Sequence, residues 1–274
     1  MAHFHVLSGA DTVPAHPEIH TINLDDIKLA LARGVDDFSA QPSHLVFLAL
    51  IYPVIGAALA FWASGANLLP LLFPLMSGFA LLGPLAAIGL YEISRRRELG
   101  LDSSWRRVLE IRHSPSIPAI LAVGLGLAVL FVAWLATAQG LFHATIGDLP
   151  PTSYLRMLRT ILTSAAGWQL IVLGNLAGLA FAVVALCSTV VAFPLLLDRD
   201  VGAAVAVTTS FRAVRENPVM LALWGLIVAL GLAAGFLLFF AGLAVVLPML
   251  GHATWHLYRR VVVPVGRGER NLAG

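Results

Sequence analysis

Six stretches of this chain, residues 45–64, 68–90, 117–142, 167–196, 219–235 and 238–257, are apolar and contain no Asp, Glu, Lys or Arg. A helix needs about 20 apolar residues to cross bilayer hydrocarbon, so each stretch predicts a membrane span. The last two belong to one uncharged run from Val219 to Tyr258. A single helix of that length would be about 60 Å long, twice the hydrocarbon thickness. The run is therefore expected to fold back near Phe239–Gly242. Composition agrees: 59% of the 274 residues are hydrophobic and 12% are charged, against roughly 25% charged in ordinary soluble domains. Mean hydropathy is +0.87. So few charges cannot clothe a water-soluble core, which argues against a soluble enzyme and against a disordered chain. Cys187 is the only cysteine, so no disulfide framework is available.

The placement of charge predicts the direction of the spans. With six crossings, every Lys and Arg except Arg156 and Arg159 falls on one side: Lys28 and Arg33, then Arg95, Arg96, Arg97, Arg106, Arg107 and Arg112, then Arg199, Arg212 and Arg215, then Arg259, Arg260, Arg267 and Arg270. The positive-inside rule places that side, and both termini, in the cytoplasm. The basic pI near 9.0 is read as a topology signal, and no nucleic-acid partner is expected. Residues 1–23 form a polar arm without the apolar core of a signal peptide. Its His3, His5, His16 and His20 allow a metal-binding tract, but nothing in their spacing supports one over a flexible tail. Trp62, Trp134 and Trp168 near outer span ends, with Trp255 and Tyr258 near an inner end, fit an aromatic belt. Tyr154, Leu155, Leu158, Ile161 and Leu162 against Arg156 and Arg159 predict a short amphipathic helix on the outer surface.

The chain reads as three repeats, about 24–91, 103–197 and 201–258, within a membrane domain at 24–262 followed by a tail at 263–274. Each repeat has a cytoplasmic amphipathic segment, a proline, a span, an outer turn and a return span interrupted by proline. In the first, the surface helix shows Leu24, Ile27, Leu31, Val35 and Phe38 at helical spacing, the apolar face of an amphipathic helix. Pro84, Pro194 and Pro248 interrupt the return spans. Each frees a carbonyl one turn back that hydrocarbon cannot satisfy, so these kinks should face protein. The glycine pairs Gly174/Gly178 and Gly231/Gly235 permit close helix contact. The expected fold is all-α: a six-helix transmembrane bundle of three helical hairpins, each preceded by a cytoplasmic amphipathic helix.

Chemistry-bearing residues are sparse. Polar side chains inside the spans are Ser77, Thr137, Gln139, Gln169, Asn175, Ser188 and Thr189. No carboxylate or lysine lies at mid-depth, as an ion-coupled pump usually requires. Asn175 is read as an interhelical hydrogen-bond partner before a substrate ligand. His252 and His256 share a helix face at i and i+4. They are the weak candidates for a metal or haem ligand, against the plainer reading of histidines at a helix end. No GxSxG, P-loop or HExxH motif is present. No catalytic constellation, and hence no enzyme, is expected, and no cofactor is called.

Several strings resemble a known family. Gly78-Phe79 and the run Gly83-Pro84-Leu85-Ala86-Ala87-Ile88-Gly89-Leu90-Tyr91-Glu92-Ile93-Ser94-Arg95-Arg96 are similar to the signature of a bacterial integral-membrane family, domain of unknown function 2189 (DUF2189). Gly34 with Asp37-Phe38 and Pro42 resembles its opening motif. Phe193-Pro194, Asp198-Arg199, Ser210, Asn217-Pro218 and Trp224-Gly225 resemble its middle. Gly251-His252-Ala253-Thr254-Trp255-His256-Leu257-Tyr258-Arg259 resembles its end. The resemblance spans about residues 24–262. It departs at Arg260, where an acidic residue is expected and a cytoplasmic ion pair would be weakened, and at Val35, where an aromatic is usual. It implies a multi-pass protein of the bacterial inner membrane, without an activity.

The motif residues Asp37, Glu92, Arg95, Arg96, Asp198, Arg199, Asn217, His252, His256 and Arg259 all map to cytoplasmic helix ends. They are expected to form one polar cluster that binds a lipid headgroup or a partner protein, or else to form helix-end salt bridges that fix the bundle. The leading reading is a non-enzymatic membrane component, with lipids, a membrane-protein partner or a second copy of itself as partners. Two alternatives are a passive transporter or channel for a small or amphipathic solute, and a haem- or metal-binding respiratory accessory.

Overall fold

The computed structural model describes residues 17–41, 56, 69–147, 154–237 and 242–263. The expected first span, 45–64, and the turn at 239–242 fall almost wholly outside these residues. Among the described residues the fold is all-helical, with only an isolated antiparallel bridge between Ile19 and Val262. The helices are α1 Leu24–Ala40, α2 Leu72–Phe79, α3 Gly83–Ala86, α4 Ile88–Glu98, α5 Trp105–Val108, α6 Ile117–Thr145, α7 Tyr154–Thr163, α8 Ala165–Thr189, α9 Ala192–Asp198, α10 Gly202–Glu216, α11 Pro218–Leu237 and α12 Leu243–Val261.

Four segments are long and apolar enough to cross a membrane: Phe73–Glu98, Ile117–Thr145, Ala165–Asp198 and Pro218–Gly235. They match four of the six expected spans. Most of the expected last span, 238–257, falls on α12, which is not among the four. Its second half carries His252, His256, Arg259 and Arg260, and most of its side chains are buried in protein. The prolines act where backbone physics places the damage. Pro84 lies four residues after Ala80, where the helix tightens into the 3₁₀ turn Ala80–Leu82. Pro194 lies four residues after Val190, in the gap that separates α8 from α9. Each removes the N–H that would have bonded that carbonyl. Pro248 sits inside α12, which continues through it. Pro194 and Pro248 are buried and Pro84 is half-buried.

The chain forms two compact units. The first comprises Met1–Val46, Pro84–Val123 and Cys187–Gly274. Its centre is α12, which packs on α1, α4 and α11. The α1 start is fixed by a capping box: Asn23 accepts from the N–H groups of Asp25 and Asp26, and Asp26 accepts from the N–H of Asn23. Its buried residues are Asp26, Ile27, Ala30, Gly34 and Asp37, so of the apolar line read from the sequence Ile27 is buried. Leu24 and Val35 are exposed. The buried line contains two carboxylates, so a search for apolar periodicity finds only part of it. Gly34 and Gly231 set the interhelical spacing. A Cβ on Gly34 would lie 2.6 Å from Ala253 Cβ, and one on Gly231 would lie 3.1 Å from Val246 Cγ1. Part of the expected arm is held here too. His20 N–H donates to Val261 O (2.8 Å), and Val263 N–H donates to Glu18 O (3.0 Å).

The second unit comprises Phe47–Gly83 and Gly124–Leu186. Its described core is Trp134, whose Nε1–H donates to Pro74 O at 2.9 Å. The indole lies between two glycines: added Cβ atoms would lie 2.5 Å from its Cδ1 at Gly78 and 3.3 Å from its Cη2 at Gly178. Outside that core, Val129, Val132, Val172, Leu176, Leu179 and Val183 are exposed. In water such a continuous apolar surface would aggregate, whereas in hydrocarbon it carries no cost.

Candidate functional site

The polar centre of the first unit begins with the close approach at Gly34. It brings α1 near enough to α12 for Asp37, only 6% exposed, to meet groups from two other helices. Oδ2 of Asp37 accepts from His256 Nε2 (2.8 Å) and from the Ser94 hydroxyl of α4 (2.5 Å), and Oδ1 accepts from Arg97 Nε (2.7 Å). The Ser94 proton is spent on the carboxylate, so its oxygen accepts from His252 Nδ1 at 2.8 Å. That assignment fixes the His252 tautomer with a proton on Nδ1. Burial alone would raise the Asp37 pKa. The hydrogen bonds from His256, Ser94 and Arg97 outweigh it and hold the carboxyl at about 2, below its ordinary 3.8.

Two further ion centres flank this one. Glu92, 2% exposed, accepts from Arg95 Nε and Nη2 (2.7 and 3.0 Å) and from Arg96 Nε (2.7 Å). One carboxylate thus holds two guanidinium groups, one of them bidentate. Arg96 also reaches Asp102 O (3.2 Å) and Glu110 (3.6 Å), stitching the following loop down. The third centre is Asp198, which accepts from the Tyr258 hydroxyl (2.6 Å) and pairs with Arg259 (3.4 Å) and Arg199 (3.6 Å). Arg199 also donates to Val263 O. Arg259 and Trp255 Nε1 both donate to Glu98, each at 2.9 Å. Asp198 lies near enough to Arg95 to act on it electrostatically, which links the second and third centres.

All ten expected cluster residues lie in this one unit, but they divide. Nine form the three ion centres. Asn217 does something else: its Oδ1 accepts from Ile22 N–H (2.8 Å) and its Nδ2 donates to His20 O (2.9 Å), fastening the N-terminal segment. Ser94, Arg97, Glu98, Trp255 and Tyr258 belong to the site although the sequence reading did not place them there. Ser94 and Tyr258 sat inside the strings that carried the family resemblance, which was the available signal. Arg260 pairs with Asp26; burial alone would raise the Asp26 carboxyl, and the Asn23 N–H bond together with that pair holds it below its ordinary value.

Of the two histidines, His252 presents Nδ1 to Ser94 and His256 presents Nε2 to Asp37. Among the described residues no group of three or more His, Cys, Asp or Glu is arranged for a metal ion. Beside the centres, the loop at 99–113 is amphipathic. Leu99, Leu101 and Leu109 are 49%, 52% and 64% exposed, and Arg106 and Arg112 are exposed with them.

Residues 71–198 match the model of a family described as predicted integral membrane protein (DUF2189). No curated protein and no solved structure matches the chain.

Proposed function

We propose that this membrane protein is a non-enzymatic, multi-pass component of the bacterial inner membrane. In this reading it has six spans in three repeats, both termini in the cytoplasm, and a cytoplasmic face that binds anionic lipid headgroups. The observation that carries the headgroup reading is the loop at 99–113. Exposed Leu99, Leu101 and Leu109 stand among exposed Arg106 and Arg112, and Arg96 pins that loop to the Glu92 centre. Leucines that enter the interface beside arginines that meet phosphate are the composition of a membrane-surface contact.

The ion centres support the loop and do not themselves receive the ligand. Arg95, Arg96, Arg199 and Arg259 are already matched to Glu92, Asp198 and Glu98. A phosphate would have to displace the carboxylate that each already holds, and at Glu92 that carboxylate is buried and would be left unpaired.

The test is headgroup crosslinking in nanodiscs, using phosphatidylglycerol that carries a photoreactive group on its glycerol head. Peptides from 99–113 should be labelled, and Arg106→Gln with Arg112→Gln should reduce that labelling on the order of tenfold, since each arginine near an anionic surface contributes about 1 kcal/mol. Unchanged labelling would remove the headgroup reading. A membrane-protein partner or a second copy would appear instead as protein crosslinks to the same loop.

A further inference from the structure

Helix α8 carries an amide where hydrocarbon should surround it. Asn175 lies on the candidate crossing Ala165–Asp198 and is exposed. It stands about 10 Å along the helix axis from Trp168 at the outer end. The sequence predicts a hydrogen bond from it to another helix, yet Nδ2 donates at 2.7 Å to Ile171 O of the same helix. That uses one of the amide's two protons and leaves Oδ1 with no donor among the described residues. Ser77, Thr137 and Gln139, polar residues of the unit's other spans, each bond within their own helix. The cavity beside Asn175 is lined by apolar side chains and by Trp134, whose N–H is spent on Pro74 O.

The face around this amide has the pattern of a helix pair. Trp168, Val172, Asn175, Leu179 and Ala182 recur at alternating intervals of four and three, and all are exposed. That spacing keeps one seam of a left-handed helix pair in register. Of the four candidate crossings this one is the barest: 6% of its apolar stretch is buried, against 17–33% in the others. Lipid covers bare leucines and valines without cost, but it has neither a donor nor an acceptor for the amide. A second copy of the chain has both. Two chains inserted in the same direction, related by a twofold axis along the bilayer normal, bring seam residues to their twins at equal depth. The spare N–H and Oδ1 of one Asn175 then meet the Oδ1 and N–H of the other.

We infer that the chain forms a parallel homodimer through this seam of α8, with the two Asn175 amides paired across the axis. The seam shares no residue with the loop at 99–113, so it stands or falls apart from the headgroup reading.

The test uses the full chain with its only cysteine removed by Cys187→Ala, reconstituted in liposomes. Under mild oxidation, Val172→Cys and Leu179→Cys should each give a disulfide-linked dimer. Leu173→Cys and Ala180→Cys are exposed too but turned about 100° from the seam, and should not. Single-molecule photobleaching across protein-to-lipid ratios reads the monomer–dimer midpoint. Asn175→Leu should move it toward monomer on the order of tenfold, with the thermal midpoint in dilute detergent unchanged. Asn175→Gln, which keeps an amide, should recover part of the loss. Equal crosslinking at all four positions, or a chain that is monomeric at every ratio, would overturn the dimer. A monomer–dimer midpoint unmoved by Asn175→Leu would overturn the amide pairing. Crosslinks in native membranes from the seam to a different protein, or to residues 42–68 of the same chain, would overturn the second copy as its occupant.

Discussion

Asp37 carries the first unit's polar chemistry, because one carboxylate accepts from three side chains on two other helices. Its proton affinity has a direct consequence for stability. With the folded carboxyl at about 2 and the ordinary value at 3.8, the unfolded chain binds the proton more tightly than the folded one. The network's contribution, about 2 kcal/mol, is thus fully present above pH ~4 and lost as pH falls through about 2. Thermal midpoints in detergent across that window should fall further for the natural chain than for Asp37→Asn, in which Asp26 is still held below its ordinary value. At pH 7 the variant should lose about 1–3 kcal/mol, since the buried Ser94 and His256 lose the carboxylate to which both donate; an unchanged midpoint would remove the centre's structural role. Asp37, Glu92, His252 and His256 were legible in the sequence because each sits in a string that resembles a known family and falls at an expected helix end. Their pairing was not. Ser94 lies 57 residues from Asp37, and His256 lies 219 residues from it. Nothing local in a sequence encodes such distances.

At the level of elements, the packing of α1 on α12 depends on the absence of a side chain. Gly34→Ala would put a methyl group 2.6 Å from Ala253 Cβ, and also 2.7 and 2.8 Å from its backbone N and Cα. The helices must separate, at a cost of about 1–3 kcal/mol, and the Asp37–His256 bond lengthens with them. Ala253→Gly should rescue the Gly34→Ala variant only partly, because the backbone atoms remain in the way; a double-variant midpoint equal to that of the natural chain would refute this account. The sequence showed that 24–40 is an amphipathic helix but only part of its buried face. Apolar spacing picks Leu24, Ile27, Leu31, Val35 and Phe38; Ile27 is buried, and the rest of the buried line runs through Asp26, Ala30, Gly34 and Asp37. Carboxylates enter a protein interior only when partners await them, and those partners lie on α4 and α12. Helix breaks were easier to read, since Pro84 and Pro194 each mark an interruption about one turn upstream.

For the whole molecule, membrane character was visible from length and charge alone, and four of the expected spans stand as candidate crossings. The threefold repeat and the count of six rest on charge placement and on residues 42–68, which lie almost entirely outside the described structure. A reporter that works only outside the cytosol, fused after Gly274, should stay silent, and one inserted at 148–153 should be active. The opposite result would reverse the orientation and with it the sidedness of the proposed headgroup contact. The join between the chain's two ends has a further consequence. Glu18 and His20 share backbone bonds with Val261 and Val263, and the seat of Asp37 is completed by a histidine on the last helix. During synthesis the acid can meet Ser94 and Arg97 early, but it lacks His256 until α12 has left the ribosome. A product cut short before that helix would leave uncovered the face of α1 that carries Gly34 and Asp37.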